Sequence, residues 1–210
     1  MVLAGGAARR MGGVDKPAVP VGGQPMRDRV LDAVADASPR IVVGPAAGLP
    51  AGVLATREEP LGGGPVAAAA AGVALLGPAT TTVALLAGDL PLLTAGAVRL
   101  LRRHLAFSGA RATAGDPIAV RADAAVGADG ACFVDADGRR QWLCGVWRVG
   151  PLRAALAALA ASNRTLGGAS MRSLFADLSV NEVSWTGTGP PPWFDCDTDQ
   201  DVRRAERWTR

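Results

Sequence analysis

Short apolar runs rich in β-branched residues alternate along this chain with longer alanine- and leucine-rich stretches, and glycine or proline separates many of them. The short runs read as buried strands. The longer ones, with apolar side chains three and four positions apart, read as helices. Met1, Val2 and Leu3 form the end of a first strand. A helix over 26–37 sets Met26, Val30, Leu31 and Val34 on one face. Strands are expected over 40–43 and 52–56, then a helix over 65–76 with Pro65 in its first turn. The run 82–87 is the clearest central strand, and it leads into Gly88-Asp89-Leu90-Pro91. Thr94 caps a helix reaching Leu105. After a less regular stretch, 131–134 and 141–149 form a strand pair turning at 135–138. Helices over 151–161 and 170–178, a strand over 181–185, a glycine- and proline-rich loop and a helix over 199–208 follow. Such alternation builds an α/β domain with a largely parallel sheet. No internal repeat or long linker divides the chain, so residues 1–210 are expected to form one domain.

A length of 210 residues suffices to bury a sizeable core. Hydrophobic residues make up 49% and charged residues 20% of the chain, as in ordinary globular domains. No apolar run is long enough for a membrane span, and the N-terminus has no signal-peptide pattern. The three cysteines, Cys132, Cys144 and Cys196, lack metal-ligand spacing and read as reduced thiols of a cytoplasmic protein. A net charge of +3 raises the question of nucleic acid. The basic residues, however, are dispersed and carry no interleaved aromatics, so a small anionic substrate suits them better.

All but one of the 22 Lys and Arg residues are arginine, and the exception is Lys16. An ammonium is a compact point charge where guanidinium is a wide planar fork, so this position selects compactness. Lys16 closes the stretch Leu3-Ala-Gly-Gly-Ala-Ala-Arg-Arg-Met-Gly-Gly-Val-Asp-Lys-Pro-Ala-Val19. A glycine-rich turn after a strand lets backbone N–H groups converge on an anion. Arg9, Arg10 and Lys16 add the cations that a transferring phosphoryl group requires. The spacing is neither a Walker A loop nor a GxGxxG fingerprint. Taken as glycines alone, the stretch reads better as a turn with solvated arginines.

Three further segments carry candidate chemistry. Asp89 follows the central strand, where α/β sheets bind ligands, and an aspartate there either holds Mg2+ or caps the next helix. Asp195 and Asp197 alternate on one face of a short extended run, with capping of the last helix by Thr198 or Asp197 as the plainer reading. Glu58-Glu59 precede the Gly62-Gly63-Gly64-Pro65 turn at a helix start and also fit a solvated acidic turn. His104, the only histidine, reads as a surface residue. No serine or threonine near these motifs has a base beside it for nucleophilic catalysis. An attacking phosphate, already anionic, needs no strong base.

The pattern Leu3, Gly5, Gly6, Arg10, Met11, Gly12, Asp15, Lys16 resembles the signature of nucleotidyltransferases built on a Rossmann-like three-layer α/β/α domain. Gln141-Trp-Leu-Cys-Gly-Val-Trp-Arg148 and Ser170-Met-Arg-Ser-Leu-Phe175 are similar to segments of one branch, the molybdenum cofactor guanylyltransferases, with Trp142 where that pattern has proline. The resemblance extends from Leu3 to about Arg204 and is weakest over 106–130. It implies that the Gly5-Gly6 backbone cradles a nucleotide and that Leu3 and Ala4 lie near its base. Arg10, Lys16 and Asp89 would be catalytic, with Asp89 and Asp197 holding Mg2+ and Asp195 and Asp197 meeting the acceptor. Glu59 and Gly64 belong to the base-reading loop, where a carboxylate can accept from the N1–H and amine of guanine. Two departures stand out: Asp199 replaces a proline, and Gly44 stands where some members carry asparagine.

The activity implied is transfer of GMP from Mg-GTP to the terminal phosphate of molybdopterin, with pyrophosphate released. The partners implied are GTP, the molybdenum cofactor and the molybdoenzymes or insertion proteins that receive the product, with neither nucleic acid nor membrane. The alternatives are a relative using CTP with the same cofactor, a guanylyl- or cytidylyltransferase for a small phosphate such as 2-phospholactate, and a molybdopterin-binding carrier without turnover.

Overall fold

A computed structural model describes residues 1–5, 16–106, 127–163 and 165–209. Its centre is a seven-stranded sheet. The strands are β1 (Val2–Leu3), β4 (Arg40–Val43), β5 (Val53–Thr56), β6 (Thr82–Ala87), β7 (Gly130–Val134), β8 (Arg140–Arg148) and β9 (Val180–Ser184), in the order β5-β4-β1-β6-β8-β7-β9. Only β8 runs against the others, pairing antiparallel with both β6 and β7. β1 is flanked by β4 and β6 in parallel, so Leu3 lies beside Val43 and Ala87. The expected strands thus form a mostly parallel sheet with helices on both faces.

Period-two alternation divides the core between those faces. Leu3, Ile41, Val43, Leu85, Cys132 and Trp147 pack against α2 (Pro65–Ala74), α4 (Val149–Asn163) and α5 (Met171–Leu174). Val2, Val42, Leu86, Cys144 and Val146 point the other way, toward α1 (Met26–Asp32) and α3 (Ala95–Ala106). This is the three-layer α/β/α arrangement. Gly130 and Gly145 leave the space that the Trp147 indole fills, since a Cβ at either would collide with its ring. That indole stacks on Phe175 at 3.8 Å between ring centres, and Phe175 stacks on Trp142 at 5.1 Å.

Element ends differ where helices wind down. The expected helix 26–37 is α-helical only to Asp32, and it continues through tighter turns in which Val34, Ala35 and Ala37 donate three residues back. The helix expected over 170–178 is one turn, capped by Ser170 and followed by the same tightening. A small hairpin, β2 (Pro20–Val21) and β3 (Gln24–Pro25), was not expected. Gly22 and Gly23 turn it with φ of +61° and +81°, the geometry of a two-residue mirror-image turn.

His104 is also a correction: it is buried at 6% exposure. Burial, followed by the charge of Arg103, lowers its pKa, so the neutral form is favoured. The last helix, α6 (Asp199–Trp208), packs through Ala205 into a third small cluster with Val21, Met26, Leu92 and Cys196. That cluster fixes both the hairpin and the segment before α6 at the carboxyl edge of the sheet.

Candidate active site

At the carboxyl end of β1 the backbone is confined by glycines on both sides. Ala4 N–H donates to Val43 O and Gly88 N–H donates to Leu3 O, each at 2.8 Å. A Cβ at Gly44 would lie 2.7 Å from the carbonyl carbon of Ala4, and Gly44 has a φ of +152°. A Cβ at Gly88 would lie 3.1 Å from Leu3 O. The absence of asparagine at position 44 therefore has a local cause: no side chain fits there. Leu3 and Ala4 are buried at this edge, and Gly5 is exposed beyond them. Gly6, Arg9, Arg10, Met11, Gly12 and Asp15 lie outside the described residues.

The chain returns at a 3-10 turn, Lys16–Ala18, in which Val19 N–H donates to Lys16 O. The Lys16 ammonium donates to Asp89 Oδ2 at 2.6 Å and to Asp197 Oδ1 at 2.7 Å. Three segments far apart in sequence therefore meet at one nitrogen. The side chains of Lys16 and Asp89 are 18% and 20% exposed, so water screens this pair only in part, whereas Asp197 is 51% exposed. Burial alone would lower the Lys16 pKa, but hydrogen bonds to Asp197 and Asp89 and their charges outweigh it, and the net shift is upward.

The main chain ties the same parts together. Cys196 N–H donates to Asp89 O at 3.3 Å, and the Cys196 side chain is fully buried. Burying Cys196 presents its two aspartate neighbours toward the site edge. Arg29 of α1 donates from Nε to Pro91 O and from Nη1 to Val21 O, bracing the loop after β6 against the hairpin. Thr198 caps α6: its hydroxyl accepts from Asp201 N–H, and Asp201 accepts from Thr198 N–H. The cap therefore does not draw on Asp197. Partial burial and then the Asp197 charge push the Asp195 carboxyl upward. Burial pushes the Cys196 thiol up to about 12, which leaves it unreactive at neutral pH.

The acidic pair before α2 divides its work. Glu58 is 8% exposed and accepts from Gly62 N–H at 3.1 Å. Its other oxygen, Oε2, lies 3.4 Å from where a Cβ on Gly5 would stand. Glu59 is turned to solvent. Gly64, at φ +88°, starts α2, and Gly168 N–H donates to Gly63 O, bracing the loop from outside. Sequence reasoning named Glu59 and passed over Glu58. Nothing in the spacing distinguishes adjacent carboxylates that point opposite ways.

A cleft of about 590 Å³ opens beside Asp89, with Asp195, Arg140, Gln141 and Trp142 among its other walls. Among the described residues no group of three or more His, Cys, Asp or Glu side chains gathers as a metal site. Asp89 and Asp197 nonetheless direct two carboxylate oxygens at one cation position, now taken by the ammonium. That donor set fits Mg2+, which takes one or two carboxylates and completes its shell with phosphate oxygens and water. Among the described residues no helix is long and apolar enough to cross a membrane.

The three-layer α/β/α arrangement around a mostly parallel sheet is the architecture of Rossmann-like nucleotidyltransferases. The chain belongs to the MobA-like NTP transferase domain family, whose model matches residues 1–182. Asp195 and Asp197 lie beyond that match. A comparison with curated proteins found no match. Among solved structures, molybdopterin-guanine dinucleotide biosynthesis protein A from Archaeoglobus fulgidus is similar at TM-score 0.68 and 16% identity, covering 98% of this chain and 95% of that one. The 4-diphosphocytidyl-2C-methyl-D-erythritol synthase from Anaerococcus prevotii is similar at TM-score 0.65 and 13% identity, covering 99% and 95%. The 2-C-methyl-D-erythritol 4-phosphate cytidylyltransferase from Thermus thermophilus is similar at TM-score 0.62 and 22% identity, covering 98% and 96%. Identities this low speak for the shared fold.

Proposed function

We propose that the protein transfers GMP from Mg-GTP to the terminal phosphate of molybdopterin. The observation that carries nucleotidyl transfer is the Lys16 ammonium held between Asp89 and Asp197 at the sheet edge. An oxygen of the acceptor phosphate attacks the α-phosphorus of GTP. The new P–O bond replaces the bond to the β,γ-bridged leaving group, which departs as pyrophosphate. Lys16 and Arg10 stabilise the phosphate charge, and the Gly5-Gly6 backbone with Leu3 and Ala4 holds the nucleotide. Bound at Asp89 and Asp197, Mg2+ would neutralise phosphate oxygens as charge builds. Asp195 and Asp197 line the acceptor side. Glu58 pins the loop through Gly62 N–H, leaving Glu59 to accept from the guanine edge while Gly64 starts the helix behind it.

The resemblance of the Gln141–Arg148 segment, whose residues 141–144 line the cleft, supports the molybdopterin choice, as does the similarity to the Archaeoglobus protein. The cytidylyltransferase structures favour a second reading, transfer from CTP to a small phosphate. Pyrophosphate release separates the two when measured with GTP or CTP and with molybdopterin or a short phosphate as acceptor. Release requiring GTP and molybdopterin supports the first reading. Release with CTP and a short acceptor replaces it with the second.

A further inference from the structure

Side chains in the extended run before α6 alternate between the helix and the site. Phe194, Cys196 and Thr198 are tied to α6. The Phe194 ring meets the Trp208 ring edge-on at 5.1 Å between centres, Cys196 packs in one cluster with Ala205, and Thr198 shares its reciprocal cap with Asp201. Between these anchors, Asp195 lines the cleft and Asp197 reaches Lys16. Asp197 is 51% exposed, and an ion pair so open to water holds its partners only weakly. Its position therefore depends on the anchors to either side.

The Phe194 anchor is itself clamped. The Arg204 guanidinium lies 5.6 Å from the Phe194 ring centre and 4.8 Å from that of Trp208, so one cation sits against both rings. Arg204 and Trp208 are both exposed, and neither is among the residues lining the cleft. Just past the helix, Thr209 lies against the hairpin turn: a Cβ at Gly22 would stand 3.1 Å from Thr209 Oγ1. That hairpin follows directly from the turn carrying Lys16, with Val19 N–H donating to Lys16 O and Met26 N–H to Val19 O. The last helix and its end thus touch both segments that meet at the Lys16 ammonium. All of α6 lies beyond the region matched by the family model, which ends at residue 182.

We propose that Trp208 and Arg204 are positioning residues: by clamping Phe194 they hold Asp197 in register with Lys16, and so set the geometry of the transfer site from outside it. The consequence for turnover rests on the reading that nucleotidyl transfer takes place at Lys16. The consequence for geometry does not.

Lys16 is the only lysine of the chain, so untagged protein grown with isotope-labelled lysine gives a single side-chain ammonium signal in nuclear magnetic resonance. W208A and R204Q remove the clamp, W208F keeps a ring against Phe194, and D197N removes the carboxylate directly. The Lys16 Nζ signal should move in W208A, and by less in R204Q, in the same direction as in D197N, and W208F should return it toward wild type. In W208A, kcat and kcat/KM for GTP should fall together by about tenfold, since a misplacement of about 1 Å is costly in transfer chemistry. Added to D197N, W208A should lower turnover no further, because both changes act through one carboxylate. A Lys16 signal in W208A and R204Q that coincides with wild type overturns the proposal. Losses of turnover that add in the D197N/W208A double variant overturn it too, since Trp208 would then act elsewhere. If W208A unfolds, R204Q, altered only at an exposed side chain, decides the case. If wild type releases pyrophosphate from no nucleoside triphosphate, the transfer reading fails and the Lys16 signal alone decides the positioning role.

Discussion

Lys16 Nζ lies 2.6 Å from Oδ2 of Asp89, a residue 73 positions later in the chain, and the same nitrogen reaches Asp197. The contact joins the end of the glycine-rich stretch to the end of β6, so each side chain fixes the other before any substrate arrives.

Lys16→Ala is expected to lower turnover by about 10²-fold or more, as when a preorganised donor to a developing charge is removed. Lys16→Arg should not restore it, because a guanidinium is too wide to fit between two carboxylates that grip one nitrogen. Steady-state pyrophosphate release from each variant measures both effects.

Asp89→Asn keeps the shape of the residue and removes its charge. Activity that depends on added Mg2+ should fall about 10²-fold or more, because the carboxylate orients Lys16 and, on the proposed reading, holds the metal. Asp197, half exposed, should have a smaller effect on stability when changed to Asn, within about 1 kcal/mol. Mn2+ binding followed by electron paramagnetic resonance reads the metal role apart from turnover.

Gly44→Ala sets a Cβ against the Ala4 carbonyl in a backbone conformation that L-residues rarely adopt. A loss of about 1–3 kcal/mol is expected in chemical denaturation. Since the displaced strand end leads into the stretch proposed to hold the nucleotide, nucleotide affinity should fall with stability.

Asp195 gives a pH signature. Its folded-state pKa is raised by burial first and then by Asp197. The folded protein therefore holds this proton more tightly than the unfolded chain. The stabilisation is present below the ordinary carboxylate range and is lost as pH rises through the raised value. Asp195→Asn should then melt above wild type at neutral pH, and the gap should close as pH falls toward 4. Thermal denaturation across that range checks the sign.

Phe175→Ala removes the middle ring of the Trp142–Phe175–Trp147 stack. A cost of about 3–5 kcal/mol is expected for a fully buried aromatic, measured by denaturant unfolding.

The sheet was legible because buried strands such as 40–43 and 82–87 are compact apolar runs between breakers, and the order of strands and helices allows few parallel topologies. The hairpin at 20–25 was missed because Pro20 and Pro25 argue against strands, although Gly22-Gly23 is a two-residue turn signal. His104 carried a readable signal too: Ala97, Leu101, His104 and Leu105 share one helical face, and all four are buried. The candidate site was legible as motifs and not as geometry. Spacing says nothing about whether Lys16 meets Asp197, which depends on Cys196 being buried beneath the hairpin. Nor does it say that Glu58 turns inward and Glu59 outward.

Transfer of the α-phosphate tests the central claim most directly. With α-labelled GTP, Mg2+ and molybdopterin, label should appear in a dinucleotide product in step with pyrophosphate, and Lys16→Ala should suppress both. Label found only in GDP beside free phosphate, or an unlabelled acceptor with every nucleoside triphosphate supplied, would contradict nucleotidyl transfer at this site.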